Sequence, residues 1–276
     1  MKCAWKEFLS LLPQWMRQEV DRMGQTGLQE LRLRINAPPE LVLGNRSVWL
    51  SRTVSSEDLQ FSVNAASKYS PWAAQTIADG YLTAPGGHRI GLCGEVVIQN
   101  GQVGVLRKLQ SLCIRVARDF PGLGREVRVS DSLLILGAPG WGKTTLLRDI
   151  CRNLAEKETV CVVDERGELF PQGFDRGSRL DVLTGYPKAR GVDRVLRTMG
   201  PSWIAVDEIT AQGDCDALIQ AVGCGVKLLA TAHAASRQDL IRRPVYKKLL
   251  QMDVFPQVLI LNRARQWHME RMNECI

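Results

Sequence analysis

The sequence predicts an α/β protein in two parts: a C-terminal domain with a largely parallel sheet, residues 129–276, preceded by a smaller α+β domain, residues 1–128. Three observations carry that expectation. Past residue 129 the runs LLILG, VCVVDE, WIAVDE, VKLLATAH and QVLILNR are short and mainly apolar, and segments of helical pattern separate most of them. Strands covered by helices on both faces read this way, because neither face meets water. The first run opens directly into a glycine-rich loop of the form G-x-x-x-x-G-K-T, followed by helix formers. Before residue 128 apolar residues alternate with polar ones, as antiparallel strands with one wet face require.

The elements follow in order. Trp5, Phe8, Leu9, Leu12, Trp15 and Met16 recur at helical spacing, with Pro13 placed to kink or restart the helix. Residues 28–35 alternate as a strand. PELVLGNRSVWL reads as a hairpin turning at Gly44-Asn45. Ser55-Ser56-Glu57-Asp58 offers capping oxygens for a helix start, with about twenty residues of helical pattern behind it. Asn100-Gly101 between GEVVIQ and QVGVLR tolerates the positive φ of a tight hairpin turn. SLCIRVAR alternates again, and DFPGLGREVRVS, residues 119–130, marks the domain boundary with its glycines and proline.

Composition narrows the class. At 276 residues, 45% apolar and 24% charged, the chain is excluded from the disordered and low-complexity proteins. No stretch approaches the roughly 18 uninterrupted apolar residues of a transmembrane helix. Glu7, Arg17 and Glu19 interrupt the N-terminus, and no small-residue cleavage site follows, so no signal peptide is expected. The expected location is cytoplasmic, or peripheral at a membrane face. Eight cysteines lie scattered without a C-x-x-C, and three histidines cannot complete a zinc site, so reduced thiols in apolar runs such as VCVVD and GLCGEVV are expected. The net charge of +7 is uneven. Residues 1–130 hold 16 basic and 11 acidic residues, residues 131–236 hold 12 and 14, and residues 237–276 hold 8 and 4. No Lys/Arg run exceeds two, and aromatic residues do not interleave with basic ones, which argues against a nucleic-acid surface.

The loop carries the chemistry. Gly137, Ala138, Pro139, Gly140, Trp141, Gly142, Lys143 and Thr144, with Thr145 opening the helix, let successive backbone N–H groups converge on phosphate oxygens at a positive helix end. Lys143 adds a point charge at the β/γ-phosphates and the Thr144 hydroxyl ligates Mg²⁺. A side chain at Gly140 or Gly142 is expected to clash with phosphate or strain the backbone. Downstream, WIAVDE ends in Asp207, placed to hold Mg²⁺ through water at the end of a strand adjoining the cradle, and in Glu208, the expected base for the attacking water. VVDERGE offers Glu165 and Glu168 at a second strand end, to meet water, ribose or the Mg²⁺ shell. ATAH offers His233 at a third, where an imidazole can sense the γ-phosphate. No LSGGQ precedes the DE strand and no N-K-x-D follows it, so ATP rather than GTP is expected, with no covalently bound cofactor. A RecA-like P-loop motor remains.

This order of boxes resembles the secretion ATPases of type II and type IV systems and, more closely, the stage III AA family of sporulation ATPases of endospore-forming bacteria. The residues that carry it are ELRLRINAPPEL, APGGHRIGLCGEV, SLCIRVAR, GAPGWGKTTLLRD, VVDERGEL, DVLTGYPKARGVDRVLRTMGPSWIAVDEI and GVKLLATAHA, together most of residues 30–235. The resemblance implies a homohexameric ATPase on the mother-cell side of the channel to the forespore, working with membrane-embedded sporulation proteins. It also implies that the N-terminal domain supplies arginines to the nucleotide; HRIGL and SLCIRV make Arg89 and Arg115 the candidates. Secretion ATPases commonly carry Gly before the catalytic Glu, whereas Asp207 stands here. A nucleic-acid translocase and a nucleotide-gated scaffold with little hydrolysis are the alternatives.

Overall fold

The computed structural model describes residues 2–24, 27–44, 46–67, 77, 80–99, 102–171 and 173–272. Two compact units divide the chain: Met1–Asp119 with Pro171–Phe174, and Phe120–Phe170 with Asp175–Ile276. The division falls ahead of the 128–129 boundary expected from composition. Its reason is local: the N–H groups of Gly122 and Gly124 donate to the Asp149 carboxylate, and Val127 joins an apolar cluster of the second unit.

The first unit opens with α1 (Trp5–Ser10) and α2 (Gln14–Met23), with Pro13 as N-cap of the second, so the proline restarts the helix. Strands β1 (Leu28–Arg34), β2 (Glu40–Leu43) and β3 (Arg46–Trp49) precede α3 (Ser56–Ser67). Then come β4 (Tyr81–Thr83), β5 (Arg89–Gln99) and β6 (Gln102–Arg115). They form a wholly antiparallel sheet of order β3-β2-β1-β6-β5-β4. Leu31, Leu33, Leu41, Ile90, Leu112 and Ile114 belong to one apolar cluster with Phe8, Met16, Val20 and Leu59 of the helices. Of the expected twenty-residue helix, α3 covers residues 56–67, and residues 68–76 lie outside the described residues. The hairpin strands pair as expected, Leu43 with Arg46 and Gln99 with Gln102, while Asn45, Asn100 and Gly101 themselves lie outside the described residues.

The second unit runs β7 (Leu133–Leu136), α4 (Lys143–Leu154), β8 (Val160–Asp164), β9 (Leu180–Thr184), α5 (Lys188–Met199) and β10 (Trp203–Val206). It continues with α6 (Gln212–Gly223), β11 (Lys227–Ala232), α7 (Arg237–Ile241), α8 (Lys247–Gln251), β12 (Gln257–Leu261) and β13 (Trp267–Arg271). The sheet order is β13-β12-β7-β11-β10-β8-β9, parallel except for the β12–β13 pair. Successive residues of each central strand join different apolar clusters: Leu133 and Ile135 pack with α4, Leu134 and Leu136 with the cluster that includes α5 and α6. That is why these strands read as unbroken apolar runs.

Three expectations are corrected. β10 does not adjoin the strand of the phosphate loop, because β11 lies between them. β9 and β13 are strands that the apolar-run criterion passed over, since both are half-exposed edges. The thiols are not uniformly in the core: Cys151, Cys161 and Cys215 are buried, whereas Cys93 and Cys224 are exposed. Burial pushes the Cys161 and Cys215 thiols up to about 11.

Candidate nucleotide site

Because β7, β8, β10 and β11 run parallel, every chemistry-bearing loop of the second unit leaves the same edge of the sheet. The phosphate loop leaves β7 there. Gly140 at φ +78° and Gly142 at φ +100° occupy left-handed backbone that an L side chain adopts only with strain, and no protein atom within 4 Å would block a Cβ at either. Conformation is therefore what requires these glycines, and the space beside them is open. Gly142 is the N-cap of α4, so Lys143 and Thr144 open the helix and its unpaired N–H groups face the loop.

Lys143 is buried, and its Nζ donates to the carbonyls of Gly137 at 2.8 Å and Ala138 at 3.2 Å. Burial holds its ammonium below the ordinary lysine range, opposed by the negative charges of Glu208 and Asp207. An ammonium has three donors, and the two carbonyls use two of them. The Thr144 hydroxyl lies 3.2 Å from Asp207 Oδ2 and 3.4 Å from Oδ1. A hydroxyl and a carboxylate at this spacing are hard oxygen donors of the kind Mg²⁺ takes alongside nucleotide phosphates. The donor set fits Mg²⁺–ATP.

Glu208 follows at once. Its Oε2 lies 3.0 Å from His233 Nε2, so the imidazole holds one carboxylate oxygen. Lys143, Thr144, Asp207, Glu208 and His233 thus converge on one sheet edge. Gly137, Ala138, Pro139, Trp141 and Thr145 complete the loop and the first helical turn.

The acidic box is arranged differently. Asp164, fully buried, turns inward: Oδ1 accepts the N–H of Glu168 at 2.9 Å, and Oδ2 accepts those of Leu169 at 2.9 Å and Phe170 at 3.0 Å. Burial raises its pKa, against those three N–H donors. Arg148 of α4 binds the carbonyls of Glu168 and Leu169, so a helix and a strand end shape the same loop. Glu165 pairs with Lys188 of α5 at 2.7 Å. Arg89 and Arg115 belong to the first unit, where they stand directly opposite each other on β5 and β6; Arg89 lies over the Tyr81 ring and Arg115 Nε is 3.2 Å from Glu30.

Sequence reasoning missed Thr231, Asp164 and Arg148 as site-building residues. Thr231 had a visible signal, a lone hydroxyl inside the apolar run KLLATA. Arg148 had none, because its partners are backbone carbonyls some twenty residues away.

The family model described as sporulation stage III, protein AA matches residues 6–270. The chain is 36% identical over 282 residues to stage III sporulation protein AA of Bacillus subtilis strain 168, covering 94% of this chain and 91% of that protein. Among solved structures it is similar to the ATPase DotB of Legionella pneumophila, with a TM-score of 0.61 at 17% identity over 93% of this chain and 79% of that one. It is also similar to the pilus retraction motor PilT with bound ADP, with a TM-score of 0.62 at 14% identity over 89% and 77% of the two chains. At these identities the structural likeness concerns the fold, which resembles that of DotB and PilT. Among the described residues no helix is long and apolar enough to cross a membrane.

Proposed function

The chain belongs to the stage III sporulation protein AA family, and from that premise we propose that it binds and hydrolyses ATP as a homohexameric motor, peripheral to the membrane on the mother-cell side. Membrane-embedded sporulation channel proteins are its proposed partners. One observation carries the enzymatic part: Lys143, Thr144, Asp207 and Glu208 meet at the sheet edge where the phosphate loop caps α4.

In this reading the loop N–H groups and the positive end of α4 hold the triphosphate. Lys143 turns its remaining N–H to the β/γ-phosphates, and the anion restores the charge that burial disfavours. Thr144 and Asp207 would hold Mg²⁺, which would supply positive charge to offset that of the phosphates. Glu208, fixed at one oxygen by His233, orients a water with the other and takes its proton as oxygen joins the γ-phosphorus. The bond to the leaving ADP oxygen breaks opposite. Glu165, which pairs with Lys188, and Glu168 are the further carboxylates this reading makes available to water, ribose or the Mg²⁺ shell. Arg89 and Arg115, from a neighbouring copy in the hexamer, supply positive charge to the transferring group.

Purified protein tests this by nucleotide titration and phosphate release. Mg²⁺-dependent turnover is expected, together with loss of tight ATP binding in Lys143→Ala, where the β/γ charge faces backbone donors only. Unchanged affinity in that variant overturns the reading.

A further inference from the structure

We propose that Thr231 is a positioning residue that fixes the orientation of Asp207, and with it the magnesium requirement of the site. This rests on the ATPase reading and adds a residue that the reading does not use.

Thr231 is fully buried in β11, where every neighbour from Leu228 to Ala232 is apolar. A buried hydroxyl without partners is costly. Here both partners belong to the site. Oγ1 donates to Asp207 Oδ1 at 3.0 Å and accepts the N–H of Glu208 at 3.0 Å, so its hydrogen and a lone pair are both engaged. The same Glu208 N–H lies 3.0 Å from Asp207 Oδ1. One carboxylate oxygen is thereby held from two directions, and rotation of the group breaks both bonds. The other oxygen, Oδ2, is the one left nearest the Thr144 hydroxyl, at 3.2 Å.

The sheet holds the hydroxyl in place. Val206 pairs with Ala230 on one side of β11, which puts Asp207 and Thr231 at the next register position, and Thr231 pairs with Ile135 of β7 on the other. Two ladders therefore set where the hydroxyl stands, and through it the distance from carboxylate to phosphate loop. Removing the hydroxyl while keeping the shape leaves Asp207 Oδ1 with the Glu208 N–H at 3.0 Å and the longer contact to the Thr144 hydroxyl at 3.4 Å. Loss of such an outer partner typically costs 10–100-fold in metal affinity or activity.

Thr231→Val and Thr231→Ser in the full chain separate hydroxyl from packing. Affinity for a fluorescent ADP analogue is measured in EDTA and across a Mg²⁺ titration, beside kcat. In Thr231→Val the EDTA affinity is expected to stay within about 2-fold, while the half-saturating Mg²⁺ concentration rises and kcat falls by roughly 10–100-fold each. Thr231→Ser restores both. A valine variant with wild-type Mg²⁺ dependence overturns the proposal, as does a serine variant as impaired as the valine. A parallel loss of EDTA affinity also overturns it, because the role is then packing. A wild-type chain that binds Mg²⁺-nucleotide without hydrolysing it refutes the ATPase reading and leaves the titration to decide Thr231. One that binds no nucleotide removes both.

Discussion

Glu208 sits between two constraints, a backbone N–H tied to Asp207 and Thr231 and a carboxylate tied to His233. In the proposed base role, a carboxylate held this way contributes through orientation as well as basicity. Glu208→Gln keeps the shape and the spacing but cannot take the proton of water. ATP affinity is expected to stay near wild type while turnover falls by roughly 10²–10⁴-fold, measured by titration and single-turnover phosphate release. A near-normal rate in that variant moves the base role to Glu165 or Glu168. The proximity of Lys143, Thr144, Asp207 and Glu208 was legible in the sequence, because the proposed phosphate and magnesium chemistry calls for these residue types at this spacing. Asp164 was legible as a carboxylate but not as a support. Its partners are the N–H groups of residues 168–170, and nothing in residue identity distinguishes a carboxylate that faces water from one that gathers its own loop.

Helix α5 lies against β8 through Gly191, where a Cβ would overlap Val163 Cγ1. Alanine gains about 1 kcal/mol over glycine in helix propensity. Val163 is β-branched, stiff and fully buried, so the overlap is not relieved cheaply. Overpacking costs typically about 1–3 kcal/mol, and the net expectation for Gly191→Ala is a loss of up to about 2 kcal/mol. A lower urea midpoint at unchanged m-value would register it. In the first unit His88 joins the start of α1 to the chain after β6: Nε2 bonds the Ala4 carbonyl at 2.9 Å, and Nδ1 accepts the Ala117 N–H at 3.1 Å. Burial depresses its pKa below 6.5. In the window below about 6.5 the unfolded chain binds the proton and the folded one does not, so stability is full above that pH and declines as pH falls. Thermal melts from pH 7.5 to 5.5 should show a steeper drop for wild type than for His88→Gln. The apolar strands of the second unit were legible element by element, whereas edge strands β9 and β13 were not, because half-exposed sequence resembles loop.

At the scale of the whole molecule, the proposed hexamer predicts that turnover per chain rises with protein concentration. Arg115→Ala should lower kcat far more than nucleotide affinity, since an arginine that meets charge developing in the transition state leaves the ground state unchanged. Turnover strictly proportional to protein concentration, with a silent Arg115→Ala, refutes the shared site and leaves the phosphate loop standing. The order of the strands was not legible at all, because parallel pairing is set by crossovers rather than by the strands' own residues. That order also imposes a timetable on the newborn protein. β7 carries the phosphate loop, yet both its neighbours, β11 and β12, come later in the chain. As a ribosome works from Leu136 to Lys227 the loop's own strand has no partner, while β8 and β10 can already pair beside it. Unpaired apolar edges invite association with other chains. An incomplete polypeptide therefore carries the glycine-rich motif on a strand whose apolar edges stay open to other chains until β11 is made and pairs between β7 and β10.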